Sequence, residues 1–140
     1  MGRNRDNRPQ RNLLSDQDRQ AIIINGDAEL LVQRAQEIGE ALQRAKLNST
    51  QIRNVFGTVR QIQMSWPLGN DRDAQSAAHR KLQLLKPKLA YQAARNDAVK
   101  SLAGVLTPAI DDVRADRVRF QNFVDFFEAI LAYHRAAGGK

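Results

Sequence analysis

Apolar residues recur at spacings of three and four along most of this sequence, and this period constrains the fold more than any other feature. One face of the first predicted helix carries Leu31, Ala35, Ile38, Leu42 and Ala45. Such residues share a face because successive residues of an α-helix are about 100° apart. No segment alternates between apolar and polar residues for long enough to indicate a strand. The sequence therefore predicts an all-α fold.

Further apolar stripes and helix-start signals predict the remaining helices. The second stripe consists of Ile52, Val55, Phe56, Val59, Ile62 and Trp66, and the last of Phe120, Phe123, Val124, Phe127, Ile130 and Leu131. Asp71 and Asp73 suit the positive end of a third helix, and Pro87 suits the first turn of a fourth. The next stripe continues across Pro108, which indicates either one kinked helix or two helices. We expect a compact bundle of five to six helices in a single domain.

The first 24 residues differ in composition from the rest of the chain. They are rich in Arg, Asn, Gln and Asp, so we predict a flexible tail over residues 1–24 and a helical domain over residues 25–140. The apolar run at residues 21–24 is far shorter than the roughly 20 residues of a membrane span. Cysteine is absent, which suits a reducing compartment, and we expect a cytoplasmic protein that does not enter a membrane.

The basic charge is concentrated in the middle of the chain. The formal net charge is +7, and residues 43–100 hold eleven Lys and Arg against three Asp and Glu, whereas residues 21–42 hold one against four. A basic block inside a folded region indicates a surface for a polyanion, and nucleic acid is the first candidate. The alternative is a solvated basic surface that only increases solubility.

The segment LKPKLAYQAAR, at residues 85–95, carries the most specific pattern. One narrow arc of the predicted helix carries Lys88, Tyr91, Gln92 and Arg95, and the opposite side carries Leu89, Ala90, Ala93 and Ala94. We expect the alanines to let this helix pack close to a neighbouring helix. The cations suit phosphates, and the tyrosine suits stacking on a base. An exposed polar face with a half-buried tyrosine ring is the alternative interpretation.

The second helix adds two cations to this pattern. Arg53 and Arg60 are seven residues apart and lie together beside the apolar stripe, with Gly57 between them on the same side. A glycine there lets the backbone of a partner approach closely, although it could equally serve helix packing.

The sequence offers little support for catalysis or metal binding. His79 and His134 are the only histidines and show no metal-ligand spacing, and His134 falls on the apolar side of the last helix. We therefore interpret His134 as a partly buried histidine whose ring has hydrogen-bond partners in the protein, rather than as a metal ligand. No phosphate-binding loop or pair of nucleophile and base is present, and we predict no enzymatic activity, no metal site and no cofactor. Phe126 and Tyr133 widen the apolar surface of the last helix and are predicted to contact another subunit.

Three segments taken together resemble a known family. They are LNSTQIRNVF at 47–56, LKPKLAYQAAR at 85–95 and FQNFVDFFEAILAYHRAAGG at 120–139. In this order and at these separations they are similar to the small subunit of type III-A CRISPR effector complexes, the Csm-type complexes. The resemblance covers about residue 28 to the C-terminus. The Arg- and Asn-rich N-terminal segment, with its run of three isoleucines, departs from the family pattern.

The resemblance implies a function and roles for particular residues. It implies a helical protein without enzymatic activity, stacked in a few copies along a ribonucleoprotein, with a basic face that lines the channel holding guide RNA paired to target RNA. Its basic motif positions correspond to Arg53, Lys86, Lys88, Tyr91 and Arg95, and helical geometry adds Arg60. Glu128 and Tyr133 match the terminal motif and are predicted to be structural or subunit-facing. The implied partners are guide RNA, target RNA, the backbone subunits, the large polymerase-like subunit and further copies of this chain.

Two other functions remain compatible with the residues alone. The segment RAKLNSTQIRNVF at 44–56 suits a helix-turn-helix DNA-binding regulator in which Ser49, Thr50, Gln51 and Arg53 read bases. A helical protein–protein adaptor with incidental basic charge is the other alternative. A small nuclease is disfavoured, because no cluster of acidic metal ligands lies near the cations.

Overall fold

The computed structural model describes residues 13–138, which form helices and no strand. The helices are α1 (Asp16–Ile23), α2 (Ala28–Arg44), α3 (Ser49–Ser65), α4 (Arg72–Gln83), α5 (Leu85–Arg95), α6 (Asp97–Val113) and α7 (Arg117–Ala136). Leu84 alone separates α4 from α5 and keeps a right-handed helical conformation. The two therefore count as one bent unit, which gives six helical units in this part of the chain. The predicted all-α, single-domain fold is confirmed.

Most of the helices begin at a residue whose side chain accepts a hydrogen bond from the first turn. These capping residues are Ser15, Asp27, Asn48, Asp71, Asn96 and Asp116. Such caps satisfy N–H groups that have no partner within the helix, and each stabilises it by about 1 kcal/mol. α5 begins without a side-chain cap. Its Pro87 lies in the first turn, where the missing N–H costs little.

α7 lies at the centre of the bundle, and α1, α2, α3 and α6 all pack against it. Its phenylalanines at 120, 123, 126 and 127 are fully buried. The ring of Trp66 at the end of α3 stacks on Phe120 with ring centroids 4.3 Å apart, and Phe56 meets Phe127 edge-on at 5.1 Å. Aromatic side chains bury large apolar areas, so this contact between α3 and α7 is a main source of hydrophobic stabilisation.

α2 and α7 approach each other most closely at Gly39. A Cβ atom added there would lie 2.8 Å from the backbone nitrogen of His134 and 2.8 Å from the Cβ atom of Tyr133. Glycine is therefore the only residue that fits this helix crossing without a shift. His134 is fully buried beside the crossing, and its Nε2–H donates to the carbonyl oxygen of Leu47 at 2.8 Å. His134 thus has a hydrogen-bond partner in the protein, but it is fully rather than partly buried, and its Nδ1 atom has no hydrogen-bond partner within residues 13–138.

The structure corrects the predicted N-terminal boundary. Residues 16–23 form α1 rather than part of a flexible tail, and Ile22 and Ile23 are fully buried where α1 packs on α6 and α7. The side chain of Asn122 in α7 also donates to the carbonyl oxygen of Ile23 at 3.0 Å. Burying the two isoleucines stabilises the docked helix by several kcal/mol, on the order of 1.5–3 for each side chain. The remainder of the predicted tail, residues 1–12, lies outside the described residues.

Ion pairs hold the polar side of α1. The Nε atom of Arg19 donates to Asp112 in α6 at 2.6 Å, and a second nitrogen of the same guanidinium donates to Asp16. Burial lowers the pKa of Arg19, but hydrogen bonds and attraction to the two aspartates outweigh it, so the pKa lies above its ordinary value. The Nε atom of Arg34 in α2 likewise donates to Asp18 at 2.8 Å. α1 is thus joined to two neighbouring helices by charge as well as by apolar contact.

The structure also decides the alternative left open at Pro108. Residues 97–113 form one helix, α6, with the proline inside it. Proline at this position removes the hydrogen bond that would reach the carbonyl of Gly104, four residues earlier. Gly104 is exposed, so water can satisfy that carbonyl and the helix continues. Within residues 13–138, no helix is both long and apolar enough to cross a membrane.

Candidate nucleic-acid interface

The outer face of α5 carries three of the residues singled out from the sequence. The buried side of this helix consists of Leu85, Leu89 and Ala93. This orientation leaves Lys88, Tyr91 and Arg95 exposed along the opposite side, and we call these three residues the α5 group. Ala90 and Ala94 are also exposed, so the prediction that they pack against a neighbouring helix is wrong.

Tyr91 and Arg95 form a pre-ordered pair within the α5 group. The Nη1 atom of Arg95 donates to the hydroxyl oxygen of Tyr91 at 2.7 Å, and the guanidinium carbon lies 5.4 Å from the centre of the ring. The two residues are one helical turn apart, where side chains meet on a helix surface. Tyr91 is 62% exposed, which places most of this residue in contact with solvent. Its ring and hydroxyl hydrogen remain accessible to a ligand.

A pocket opens between the N-terminal half of α3 and the C-terminal end of α5. It has a volume of about 380 Å³ and is lined by Gln51, Asn54, Tyr91, Gln92, Arg95 and Asn96. Asn96, the capping residue of α6, connects its two walls, since its Nδ2 atom donates to the Oε1 atom of Gln51 at 3.3 Å. This pocket is not apparent from the sequence. Asn54 and Asn96 each look like an ordinary surface or capping amide until the helices are placed.

Arg53 and Arg60 of α3 are exposed but do not join the α5 group. Arg53 is turned by about 100° from Asn54, the α3 residue that lines the pocket. The guanidinium carbon of Arg60 lies 5.9 Å from the ring centre of Phe56, and that ring contacts Phe127 of α7. These two arginines, which we call the α3 group, therefore lie on the flank of α3 nearer α7. The structure divides the predicted cations into two groups separated by the outer face of α3.

Lys86 differs from the other predicted cations because a carboxylate holds it. Its Nζ atom donates to Asp111 of α6 and to the side-chain oxygen of Gln83 at 3.1 Å. None of the ion pairs formed within residues 13–138 includes Lys88, Arg95 or a member of the α3 group. Lys86 contributes to the packing of α5 on α6, and the other four cations have no carboxylate partner in the described part of the chain.

The sequence explains why these cations have no acidic neighbours on their own helices. Residues 41–70 and 74–96 contain no Asp or Glu, and these ranges include all of α3 and α5. A surface with unpaired positive charge repels itself and attracts a polyanion. Both acid-free ranges are visible in the sequence when charges are counted over short windows.

The predicted subunit-contact residues of α7 occupy three different environments. Phe126 is 0% exposed and belongs to the core, so its predicted contact with another subunit is wrong. It is buried because α7 is surrounded by other helices, so side chains beyond the main apolar stripe are covered too. Tyr133 is partly buried against the core beside Gly39, and Glu128 is exposed. The most exposed large apolar side chains in the described region are instead Met64 and Leu68, at 84% and 83%.

The histidines and acidic residues do not assemble into a metal site within residues 13–138, where no group of three or more potential ligands comes together. His79 has a structural role at the turn between α6 and α7. Its Nδ1 atom accepts a hydrogen bond from the backbone N–H of Ala115 at 3.1 Å. Arg114 and Ala115 both have left-handed backbone conformations, with φ angles of 52° and 61°. The histidine thus supports a tight turn that contains no glycine.

The fold and the sequence of its outer helices define a class of small all-α proteins in which two helices, α3 and α5, carry basic residues and no acidic ones. The family model described as Csm2 Type III-A matches residues 25–140. The chain therefore belongs to the Csm2 family, the small subunits of type III-A CRISPR Csm complexes. The resemblance noted from the three segments is confirmed. No curated protein and no solved structure matches the chain. α1 lies outside the matched range.

Proposed function

We propose that this chain is a non-catalytic RNA-binding subunit of a type III-A CRISPR ribonucleoprotein. In this proposal the α5 group and the α3 group contact phosphates and 2′-hydroxyls of guide RNA paired to target RNA. The observation that carries the proposal is the α5 group itself, an exposed tyrosine between two cations that have no carboxylate partner in the described region. Membership of the Csm2 family supports it, because the chain is then a subunit of a complex of this type.

The contacts would be independent of sequence. Double-stranded RNA exposes its phosphates and 2′-hydroxyls, whereas its deep major groove hides the base edges from side chains. Lysine and arginine bind such a backbone through charge, and the pairing of guide with target supplies the sequence specificity. The proposal includes protein partners: the backbone subunits, the large polymerase-like subunit and neighbouring copies of this chain. We place this assembly in the cytoplasm.

The positions of the residues that would contact DNA bases argue against the helix-turn-helix alternative. Ser49 is buried, and the side-chain oxygen of Gln51 accepts a hydrogen bond from Asn96. α2 and α3 each pack on α7. A recognition helix would need these first-turn side chains free to enter a major groove.

The proposal is tested by binding of the full-length chain to a labelled RNA duplex, measured by fluorescence anisotropy at moderate salt. The test variant is Lys88→Ala with Arg95→Ala. The control variant is Arg117→Ala with Arg135→Ala, which removes two exposed arginines of α7 and changes the net charge equally. We expect the test variant to bind at least about tenfold more weakly, because two phosphate contacts are lost, and the control to change affinity by less than about twofold.

Salt dependence gives a second readout. The logarithm of affinity should fall linearly with the logarithm of salt concentration, and the slope for the test variant should be smaller by about two. Equal affinities and slopes for wild type and test variant would remove the α5 group from the proposal. Equal losses in the test and control variants would show that only overall charge matters, which also contradicts a defined interface.

A further inference from the structure

We propose that the pocket between α3 and α5 receives the base of one unpaired nucleotide from the bound RNA. This inference rests on the proposed RNA binding and adds a specific site to it. The phosphate backbone is assigned to the cations, of which only Arg95 lines the pocket, whereas the other lining residues are four side-chain amides and Tyr91. Amides carry no charge, so they add little to a purely electrostatic interface, and their convergence at one place calls for a ligand with hydrogen-bonding edges.

Four amide side chains from three helical elements meet in this pocket. Gln51 and Asn54 come from α3, Gln92 from α5, and Asn96 from the cap of α6. The side-chain amide of Asn96 already has hydrogen-bond partners, since its oxygen accepts from the N–H of Ala98 and its nitrogen donates to Gln51. Within residues 13–138 no hydrogen bond engages the side-chain amide of Asn54 or Gln92. These two amides therefore have both a donor and an acceptor available for a ligand.

Such amides match the chemistry of a nucleobase. Each base edge presents hydrogen-bond donors and acceptors side by side, and Asn and Gln recognise such edges through paired donor and acceptor atoms. Bases in an intact A-form helix do not expose these edges to side chains, because they are paired and the major groove is narrow. Only a nucleotide that has left the helical stack can place its base between Asn54 and Gln92.

Tyr91 and Arg95 complete the site at its rim. The tyrosine ring provides a surface on which a base can stack, and such stacking occurs with any base. Arg95 is already held by its hydrogen bond to Tyr91 and by its position over the ring, so neither side chain has to be ordered on binding. The guanidinium also has further N–H groups to donate to the phosphate of the same nucleotide.

The size of the pocket suits a single nucleotide. Its volume of about 380 Å³ lies at the lower end of the range of small-molecule pockets, about 300–1,000 Å³. A run of stacked bases needs a groove, whereas this pocket is bounded by α3 on one side and by the end of α5 and the cap of α6 on the other. The α5 group lies at its edge, where the backbone on either side of the extruded nucleotide would pass.

The inference predicts that the full-length chain distinguishes RNA duplexes by their structure. Three labelled duplexes of equal length are compared by fluorescence anisotropy: one fully paired, one with a single bulged nucleotide, and one with an abasic residue in place of the bulged nucleotide. We expect the bulged duplex to bind at least about fivefold more tightly than the paired duplex, the lower limit for stacking of one base. The abasic duplex should bind like the paired one.

A matched pair of variants assigns the preference to the pocket. Asn54→Leu with Gln92→Leu removes the two available amides while keeping the side chains similar in size and the net charge unchanged. The control, Gln17→Leu with Gln61→Leu, changes two exposed amides that do not line the pocket. The pocket variant should bind all three duplexes equally, and the control should keep the full preference.

The outcomes separate this inference from the proposed function. Equal affinity of wild type for paired and bulged duplexes would overturn the pocket inference and leave RNA binding by the cations intact. Tight binding of the abasic duplex would also overturn it, because a flexible backbone alone would then explain the preference. Absence of binding to any of the three duplexes would overturn both. Retention of the preference in the pocket variant would place the base elsewhere.

Discussion

On the side of the molecule formed by α1 and α2, arginines are held by carboxylates, whereas on the exposed surfaces of α3 and α5 most of the cations have no such partner. Arg19 and Arg34 donate to Asp112 and Asp18 at 2.6 and 2.8 Å. The α5 group and the α3 group take part in none of the ion pairs within residues 13–138. The same residue types thus join helices on one side and remain available to a ligand on the other.

Glycines show the same difference between the two sides. Gly39 of α2 lies where a Cβ atom would come within 2.8 Å of α7, whereas a Cβ atom added at Gly57 of α3 would meet nothing within 4 Å. Gly39 is thus required by packing, and Gly57 is not, although glycine inside a helix costs about 1 kcal/mol relative to alanine. The partners of a residue, rather than its type, therefore decide whether it maintains the fold or serves a surface.

The largest change in stability is expected at Gly39, where α2 and α7 are closely packed. Gly39→Ala should destabilise the protein by about 3 kcal/mol, because the new methyl group overlaps backbone atoms of α7 that cannot move without separating the two helices. Urea denaturation monitored by circular dichroism gives the free energy of unfolding. A change below about 1 kcal/mol would show that α2 and α7 can move apart cheaply and would weaken the contrast with Gly57.

The second prediction tests the paired cations. Arg19→Met should destabilise the protein by about 2 kcal/mol, since it leaves the largely buried carboxylate of Asp112 without its charged partner. Adding Asp112→Leu to the same chain should restore most of this loss, because both charges are then removed. RNA binding at a temperature where the variant is folded should equal that of wild type. Loss of RNA binding would show that the two sides are not separate in function.

The pH dependence of this pair follows from the raised pKa of Arg19. A raised pKa in the folded state means that the stabilisation from the arginine charge is complete below the ordinary arginine pKa and is lost only as the pH rises through the folded value. Arginine stays charged throughout the pH range of ordinary measurements. The difference in unfolding free energy between wild type and Arg19→Met should therefore be constant between neutral pH and about pH 10.

A smaller effect is expected at the open glycine. Gly57→Ala should stabilise the protein by about 0.5–1 kcal/mol, since alanine is the better helix former and the site is exposed with no neighbour to overlap. Urea denaturation of this variant and of Gly39→Ala should give changes in the free energy of unfolding that have opposite signs, although both variants replace glycine with alanine. If RNA affinity falls in spite of the added stability, the backbone of a ligand passes close to Gly57, between Arg53 and Arg60. A destabilised Gly57→Ala variant would contradict the assignment of this face as open.

The smallest effect concerns Lys86, which lies on α5 yet is paired. Asp111→Asn should change stability by less than about 0.5 kcal/mol, because the pair is partly exposed. By releasing Lys86 it should raise RNA affinity by about twofold. Glu29→Gln, at an exposed position of α2, is the control with the same change in net charge. Equal gains in the two variants would show that total charge is responsible, and no gain in either would show that Lys86 cannot reach the RNA.

Much of the fold follows from the sequence because helix formation is largely local. The stripes of α3 and α7, the capping residues at 48 and 71, and the position of Pro87 each depend on residues within a few positions. The burial of Phe126 does not follow from its own helix, since it lies beside the main stripe and is covered only because other helices surround α7. α1 was missed for a similar reason: its two buried isoleucines become a docking surface only when α6 and α7 are present.

The candidate site likewise has a part that the sequence predicts and a part that it does not. The arc of Lys88, Tyr91 and Arg95 could be predicted, because helical geometry alone brings these residues together and the buried leucines point that arc outward. The relation of this arc to Arg53 and Arg60 could not, since it depends on how α3 is rotated against α7. The pairing of Lys86 with Asp111 and the meeting of Gln51 with Asn96 join residues that are 25 and 45 positions apart.

Residue order and composition are enough to predict most of the helices, a basic middle that contains two acid-free ranges, and the family to which the chain belongs. Which cations are neutralised, which glycine is packed and where a pocket opens become evident only once the helices are placed, because charge pairing and close contact act over a few ångströms in space. Residues distant in the chain reach such separations only when the helices pack.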